Sequence, residues 1–166
     1  MRKALVTLGA VTVVAAALIA PTSAAPSAKK DIAQVAATSP QFSTLVSLLG
    51  KAGLAGELKK KGPFTVFAPT NAAFAKLPKA TLDKVGSDPA LLKKVLLYHV
   101  VKGNVPAATV VTLNGKSAKT LAGQPVKIAV REGKVFLNGS TRVTKTDVMA
   151  SNGVIHVIDR VLIPST

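Results

Sequence analysis

The sequence predicts one α+β domain, and three observations carry that reading. Helical spacing of apolar residues is concentrated before residue 98, period-two alternation and turn dipeptides dominate after it, and no repeat of about 20 to 50 residues links the two halves. Repeated βαβ units would instead interleave the two patterns.

Asp31 stands where a helix N-cap belongs, followed by Ile32, Val35 and Ala36 on one face. Ser39-Pro40 starts a second helix, because proline suits the first helical position, and Phe42, Leu45, Val46 and Leu49 recur at helical spacing until Gly53. Residues 54–58 add one turn, and Lys59-Lys60-Lys61-Gly62 reads as a solvated loop. Phe64-Thr65-Val66-Phe67 is aromatic and β-branched, hence a strand, and Pro69 ends it. Thr70 or Asn71 then caps a short helix carrying Ala72, Ala73, Phe74 and Leu77, which Pro78 breaks. Residues 80–85 make another turn. Asp88-Pro89 opens the clearest helix, with Leu91, Leu92, Val95 and Leu96 facing a core and Lys93 and Lys94 outside that stripe.

From Tyr98 onward the punctuation is that of strands and turns. Val100-Val101 precedes Lys102-Gly103-Asn104, residues 106–110 form a further turn, and Leu113-Asn114-Gly115-Lys116 reads as a hairpin turn. Val126, Ile128 and Val130 alternate with Lys127, Ala129 and Arg131. Glu132-Gly133 leads into Val135-Phe136-Leu137, and Asn138-Gly139 turns again. Val143, then segments 147–149, 154–158 and 161–163, complete the β-rich half.

Composition narrows the chemistry. Of 166 residues, 48% are apolar and 17% charged, far from the polar composition that cannot collapse, so disorder throughout is excluded. The absence of Cys excludes disulfide scaffolds, zinc fingers, thiol catalysis and the acylated Cys of a bacterial lipoprotein. Met1-Arg2-Lys3, the uncharged run 4–20, Pro21 and the small Thr22-Ser23-Ala24 have the order of a secretory leader. The run spans only about 25 Å at about 1.5 Å per residue, short of a bilayer core of about 30 Å. The expected organisation is a leader at 1–24, a short spacer at 25–30 and one domain at 31–166, secreted to the cell surface or matrix. Losing Arg2 and Lys3 lowers the net charge from +15 by two, which leaves a strongly basic protein.

Three segments share a family resemblance. The run from Phe64-Thr65-Val66-Phe67 through Ala68-Pro69-Thr70-Asn71 to Ala72-Ala73-Phe74 resembles the first signature of the fasciclin (FAS1) domain. Asn152-Gly153-Val154-Ile155-His156-Val157-Ile158-Asp159, continuing to Pro164, is similar to its second signature, and Leu97-Tyr98-His99-Val100-Val101 to its Tyr-His segment. Elementary chemistry accounts for the signature residues as structure. Pro69 ends sheet pairing, Thr70 or Asn71 satisfies helix donors, and Asn152-Gly153 permits a tight turn ahead of the strand bearing His156. The resemblance implies a β-sandwich or wedge of mainly antiparallel strands wrapped by short helices. It also implies extracellular adhesion or matrix interaction rather than catalysis.

Few residues offer reactive chemistry. His156 and Asp159 are three apart on a predicted strand and project to opposite faces, and Tyr98 and His99 diverge if extended. No HExxH, GxSxG or P-loop spacing occurs. The expectation is no enzyme, no cofactor and no metal site. The resemblance makes Tyr98 and His99 candidates for partner contact, alongside a structural role. Lys145-Thr146-Asp147-Val148-Met149 occupies the place where adhesive animal members carry a Glu-Pro-Asp-Ile-Met integrin motif, although Lys145 reverses a charge and Thr146 removes the proline. Asp147 and Val148 are therefore candidates for ligand contact, or for a strand in which Val148 packs inward and Asp147 accepts hydrogen bonds from a turn. With only 4% aromatic residues the chain lacks stacking platforms for nucleic acid. The expected partners are a cell-surface protein, an anionic glycan or envelope polymer, or lipid headgroups in peripheral membrane contact, bound by a monomer. The alternative is a passive exported structural component attracted to polyanions only by its net charge. Asn138-Gly139-Ser140 is a glycosylation sequon for a host that reads it. The leader reading predicts that intact-mass analysis of the exported protein finds Ala25 at its N-terminus; retention of residues 1–24 would refute it.

Overall fold

The computed structural model describes residues 30–164; the expected leader and its cleavage point after Ala24 lie outside the described residues. Among the described residues, six α-helices occupy Ile32–Thr38 (α1), Ser43–Lys51 (α2), Asn71–Ala75 (α3), Lys79–Ser87 (α4), Pro89–Tyr98 (α5) and Ala107–Thr112 (α6). Seven strands occupy Phe64–Pro69 (β1), Val100–Lys102 (β2), Ser117–Lys119 (β3), Pro125–Arg131 (β4), Lys134–Leu137 (β5), Thr141–Ala150 (β6) and Gly153–Ile158 (β7). The strands form one mixed sheet in the order β2-β1-β7-β6-β5-β4-β3. Every pairing is antiparallel except β1 with β7, which run parallel from Phe64 opposite Gly153 to Pro69 opposite Ile158.

The sheet is nearly closed. Val101 bridges Thr120 just past β3, and the Leu121 amide donates to the Val100 carbonyl at 2.8 Å. Period-two alternation on β1 and β7 therefore feeds two cores. Val66, Ala68, Ile155 and Val157 join the helices, while Phe67 and Ile158 join Val126, Ile128 and Leu137 inside the curled sheet. All six residues of β7 are buried, which is why that strand reads as an almost unbroken apolar run.

Local chemistry sets the helix starts. Asp31 and Gln34 form a reciprocal capping box, with Asp31 Oδ1 accepting from the Gln34 amide at 2.8 Å. Asp88 accepts from the Ala90 and Leu91 amides, ahead of Pro89 at the first helical position. At α3 the cap is Thr70, whose Oγ1 accepts from the Ala73 amide at 3.3 Å. Asn71 instead ties α3 to the preceding helix: Oδ1 accepts from the Thr44 amide at 3.1 Å, and Nδ2 donates to Pro40 O and Ser43 Oγ.

Several expectations are corrected by tertiary context. Residues 80–85 belong to a full helix, α4, and the 106–110 turn is α6. Asn114-Gly115 connects α6 to β3, so it is not the turn of a β-hairpin. Val143 and 147–149 lie on one long strand, β6, interrupted by a bulge. Segment 161–163 is irregular, because the Leu162 amide donates to the His99 ring at 2.9 Å instead of joining a ladder.

The two neighbouring polar residues predict different losses. Thr70→Ala should lower stability by about 1 kcal/mol, the usual value of a cap. Asn71→Ala should cost more, about 2 kcal/mol, because it strips partners from α2 as well. Urea midpoints of the two variants check the ranking, and equal values would contradict it.

Candidate functional site

The lysine-rich loop between α2 and β1 is held in place by a residue far away in sequence. Asn152 Nδ2 donates to the carbonyls of Leu58 at 2.6 Å and Lys60 at 3.0 Å, and its Oδ1 accepts from the Ile32 amide at 3.0 Å. The Asn152 carbonyl accepts from the Phe64 amide at 3.0 Å. The backbones here are in such close contact that a Cβ on Gly153 would overlap the Phe64 carbonyl, and one on Gly62 would overlap the Asn152 carbonyl. Glycine is required at both positions by this approach. The fixed loop forms one wall of an open groove of about 530 Å³, shared with Asp31, Asn104, Met149 and Ser151. A second hollow of about 250 Å³ lies across Gly62-Pro63 and is lined by Phe64, Lys102 and Gly103. Lys61 borders both.

The two histidines are interior. His99, only 2% exposed, caps α5, where its Nδ1 lies 2.8 Å from the Val95 carbonyl and its Nε2 accepts from the Leu162 amide. Those partners require the Nδ1–H tautomer. Burial holds its pKa down from 6.5 to about 4. His156, 1% exposed, stacks on Phe67 and places Nε2 2.8 Å from the Val105 carbonyl, so Nε2 donates. Its Nδ1 accepts from the Asp147 amide at 3.4 Å. Its pKa is also lowered, chiefly by desolvation, against the opposing influence of the Val105 bond and the Asp147 charge. Asp159 turns away from His156: Oδ1 accepts from the Arg142 amide and Oδ2 lies 3.6 Å from Lys76 Nζ.

Tyr98 is the last residue of α5, not the first of a strand, and it is buried. Its hydroxyl donates to the Pro125 carbonyl at 3.2 Å and accepts from Asn138 Nδ2 at 3.0 Å. Tyr98 and His99 do diverge, Tyr98 into the curled-sheet core and His99 back along its helix toward Val95. The i, i+4 relation of Val95 and His99 continues the helical stripe, a signal present in the sequence. The link from Asn138 to Tyr98 carries no such signal.

Asp147 and Val148 sit where β6 bulges. Three steps from Lys145 to Val148 on β6 face two from Val157 to Ile155 on β7, and Asp147 takes a left-handed φ of 57°. Asp147 is exposed, and its Oδ1 accepts from the Ala107 amide at 2.8 Å, supplying the cap that Pro106 cannot give α6. Val148 is half-buried against the helical core, whereas Met149 is 65% exposed at the groove rim. The structure thus keeps Tyr98 and His99 inside and leaves Asp147 reachable from solvent. Sequence reading missed Asn104, Ser151 and the groove, which come together only through the β1–β7 pairing.

Residues 40–164 match the Fasciclin domain pattern. The chain belongs to the fasciclin family. Protein sll1483 of Synechocystis sp. is 48% identical over 135 residues, which cover 80% of this chain and 73% of that protein. Immunogenic protein MPB70 of Mycobacterium bovis is 36% identical over 146 residues, covering 80% of this chain and 68% of its own. The transforming growth factor-beta-induced protein ig-h3 of Sus scrofa is 35% identical over 136 residues, but this chain spans only 20% of its length. Among solved structures, a FAS1 domain pair from the insect cell adhesion molecule fasciclin I superposes with a TM-score of 0.66 at 19% identity, covering 81% of this chain and 51% of that one. The expected α+β fasciclin fold is therefore present, as a nearly closed seven-stranded sheet with short helices.

The buried neutral histidine gives the fasciclin domain a defined acid sensitivity. Because the folded pKa of His99 lies below its unfolded value, its contribution is complete above about pH 6.5 and is lost as pH falls toward about 4. The size expected is about 3 kcal/mol. Urea midpoints measured across that window should fall with acidification, and His99→Gln should flatten the dependence even while lowering stability. An unchanged slope in the variant would contradict this assignment.

Proposed function

We propose that this fasciclin domain is a secreted adhesion or matrix-interaction module that binds cell-surface or envelope components noncovalently and is not an enzyme. Membership in the fasciclin family is the observation that carries this reading. The solved structural neighbour comes from a cell adhesion molecule, and residues 1–24 have the pattern of a secretory leader. The interior arrangement is compatible: every ring nitrogen of His99 and His156 is occupied by backbone, leaving those rings to hold the fold. The proposed partners are a surface protein or an anionic glycan or envelope polymer. Asp147 and Val148, at the bulge, are the proposed contact positions, with Tyr98 and His99 supporting the fold from within.

A passive exported component is the second reading, favoured by 22 Lys and Arg against 7 Asp and Glu. Salt separates the two, because long-range attraction is screened over about 8 Å at physiological ionic strength whereas a shaped contact persists. Attachment of the full chain to intact cells should saturate and survive about 150 mM salt. Asp147→Asn keeps an oxygen for the Ala107 amide but removes the charge, so with a surface-protein partner that presents positive charge to this carboxylate it should weaken attachment by about threefold or more at an unchanged melting temperature, whereas an anionic glycan would lose a repulsion and bind no more weakly. Attachment that disappears with salt and ignores this substitution would leave only nonspecific attraction.

A further inference from the structure

The groove beside the lysine loop has the chemistry of a binding site that the fasciclin signatures do not account for. Lys60 is neutralised by Glu57 at 2.7 Å. The side-chain ammonium groups of Lys59, Lys61 and Lys102, by contrast, have no ion-pair or hydrogen-bond partner among the described residues, and all three residues line the groove or the hollow that continues from it. Unpaired ammonium groups around a concavity focus positive potential into it. The acid at this rim, Asp31, has Oδ1 engaged by the Gln34 amide.

Between the lysines stand two neutral hydrogen-bonding side chains, Asn104 and Ser151, neither with a side-chain partner among the described residues. Met149 and Pro63 are exposed and add apolar surface. The walls are preorganised, because Asn152 clamps the lysine loop and Thr65 holds the opposite side. Thr65 Oγ1 donates to the Gly103 carbonyl at 2.8 Å and accepts from the Val105 amide at 2.9 Å. Fixing these loops before binding removes part of the ordering cost of association.

We propose that this groove binds an acidic polysaccharide chain, one bearing carboxylate or sulfate groups, as the partner class of the adhesive reading on which the proposal rests. Charge complementarity supplies the anions, Asn104 and Ser151 meet sugar hydroxyls, and Met149 and Pro63 pack against the C–H faces of sugar rings. The continuation past Lys61 suits a linear chain that passes over Gly62-Pro63 rather than a small ligand enclosed on all sides. Single-stranded nucleic acid fits less well, because it depends on exposed stacking rings and only the half-buried Phe64 lies here. A bilayer fits less well too, since the lysines frame a concave surface.

The test titrates the full chain with heparin and polygalacturonate oligosaccharides at about 150 mM salt. Neutral dextran, phosphatidylglycerol vesicles and poly(dT) serve as comparison probes. The variant Lys59→Glu/Lys61→Glu/Lys102→Glu should lose about tenfold or more in affinity for an acidic oligosaccharide. A charge-matched control, Lys116→Glu/Lys127→Glu/Lys134→Glu on β4, β5 and the turn before β3, should change it by less than about twofold. Asn104→Ala/Ser151→Ala keeps the charge and should weaken binding several-fold; it also decides the question should the groove triple fail to fold. Equal losses in both triples, no loss in the neutral pair, no binding of either oligosaccharide, or tighter binding of vesicles or poly(dT) would each overturn the proposal. Cell attachment of the same proteins separates the two readings. A groove variant that attaches like wild type removes the site but leaves adhesion standing, whereas a wild type that fails to attach removes adhesion itself.

Discussion

The parallel pairing of β1 with β7 is the constraint on which the rest of the structure depends. It brings Phe64 against Gly153 so closely that neither Gly153 nor Gly62 has room for a Cβ. Side-chain-free positions are thus set by backbone approach, not by turn conformation alone. Once the strands are joined there, Asn152 lies between the start of α1, the lysine loop and β1, and four hydrogen bonds through its side chain and carbonyl close that end of the molecule. At about 1 kcal/mol net for each bond, their sum is a large part of a typical domain's stability.

The same pairing dictates what happens to the polar groups that must be buried. Phe67 and His156 are register partners on β1 and β7, which brings their rings into stacking contact inside the molecule. Burial disfavours the charged imidazole of both His99 and His156, and each ring donates through one nitrogen and accepts through the other, the bonding pattern of a neutral imidazole. His99 thereby joins α5 to the irregular tail at Leu162, and His156 joins the bulge of β6 to the loop at Val105. These are long-range ties made by side chains where no strand pairing is available.

Outside the cores, position rather than number governs what the positive charge can do. Lys93 and Lys94 point outward from α5 into solvent, where isolated cations have little energetic consequence. Lys59 and Lys61 are no more numerous, but the Asn152 clamp fixes their loop and Lys102 joins them from β2 across Pro63. A concave, preorganised set of unpaired charges differs physically from the same charges on mobile loops, because less ordering is needed when a ligand arrives. The bulge of β6 has a comparable effect on Asp147, which it turns toward α6 and leaves at the surface.

What the sequence by itself determined were features whose causes lie within a few residues. Helix starts at Asp31 and Asp88, the strand ending at Pro69, the alternation through Val126, Ile128 and Val130, and the turn at Asn138-Gly139 follow from capping, proline geometry and side-chain period. The α+β class and the family signatures were legible for the same reason. The choice between Thr70 and Asn71 as the cap was not, since both side chains suit the position and only the presence of α2 draws Asn71 away. Residues 161–163 have a strand-like composition, but the segment is irregular and its Leu162 amide is taken by the His99 ring. Tertiary structure alone decided the burial of Tyr98, the His99–Leu162 and Asn152–Ile32 contacts, the bulge at Asp147 and the groove walled by Lys59, Lys61 and Asn104. Each depends on groups far apart in the chain meeting across the β1–β7 junction or the curl of the sheet, and no local periodicity encodes such a meeting.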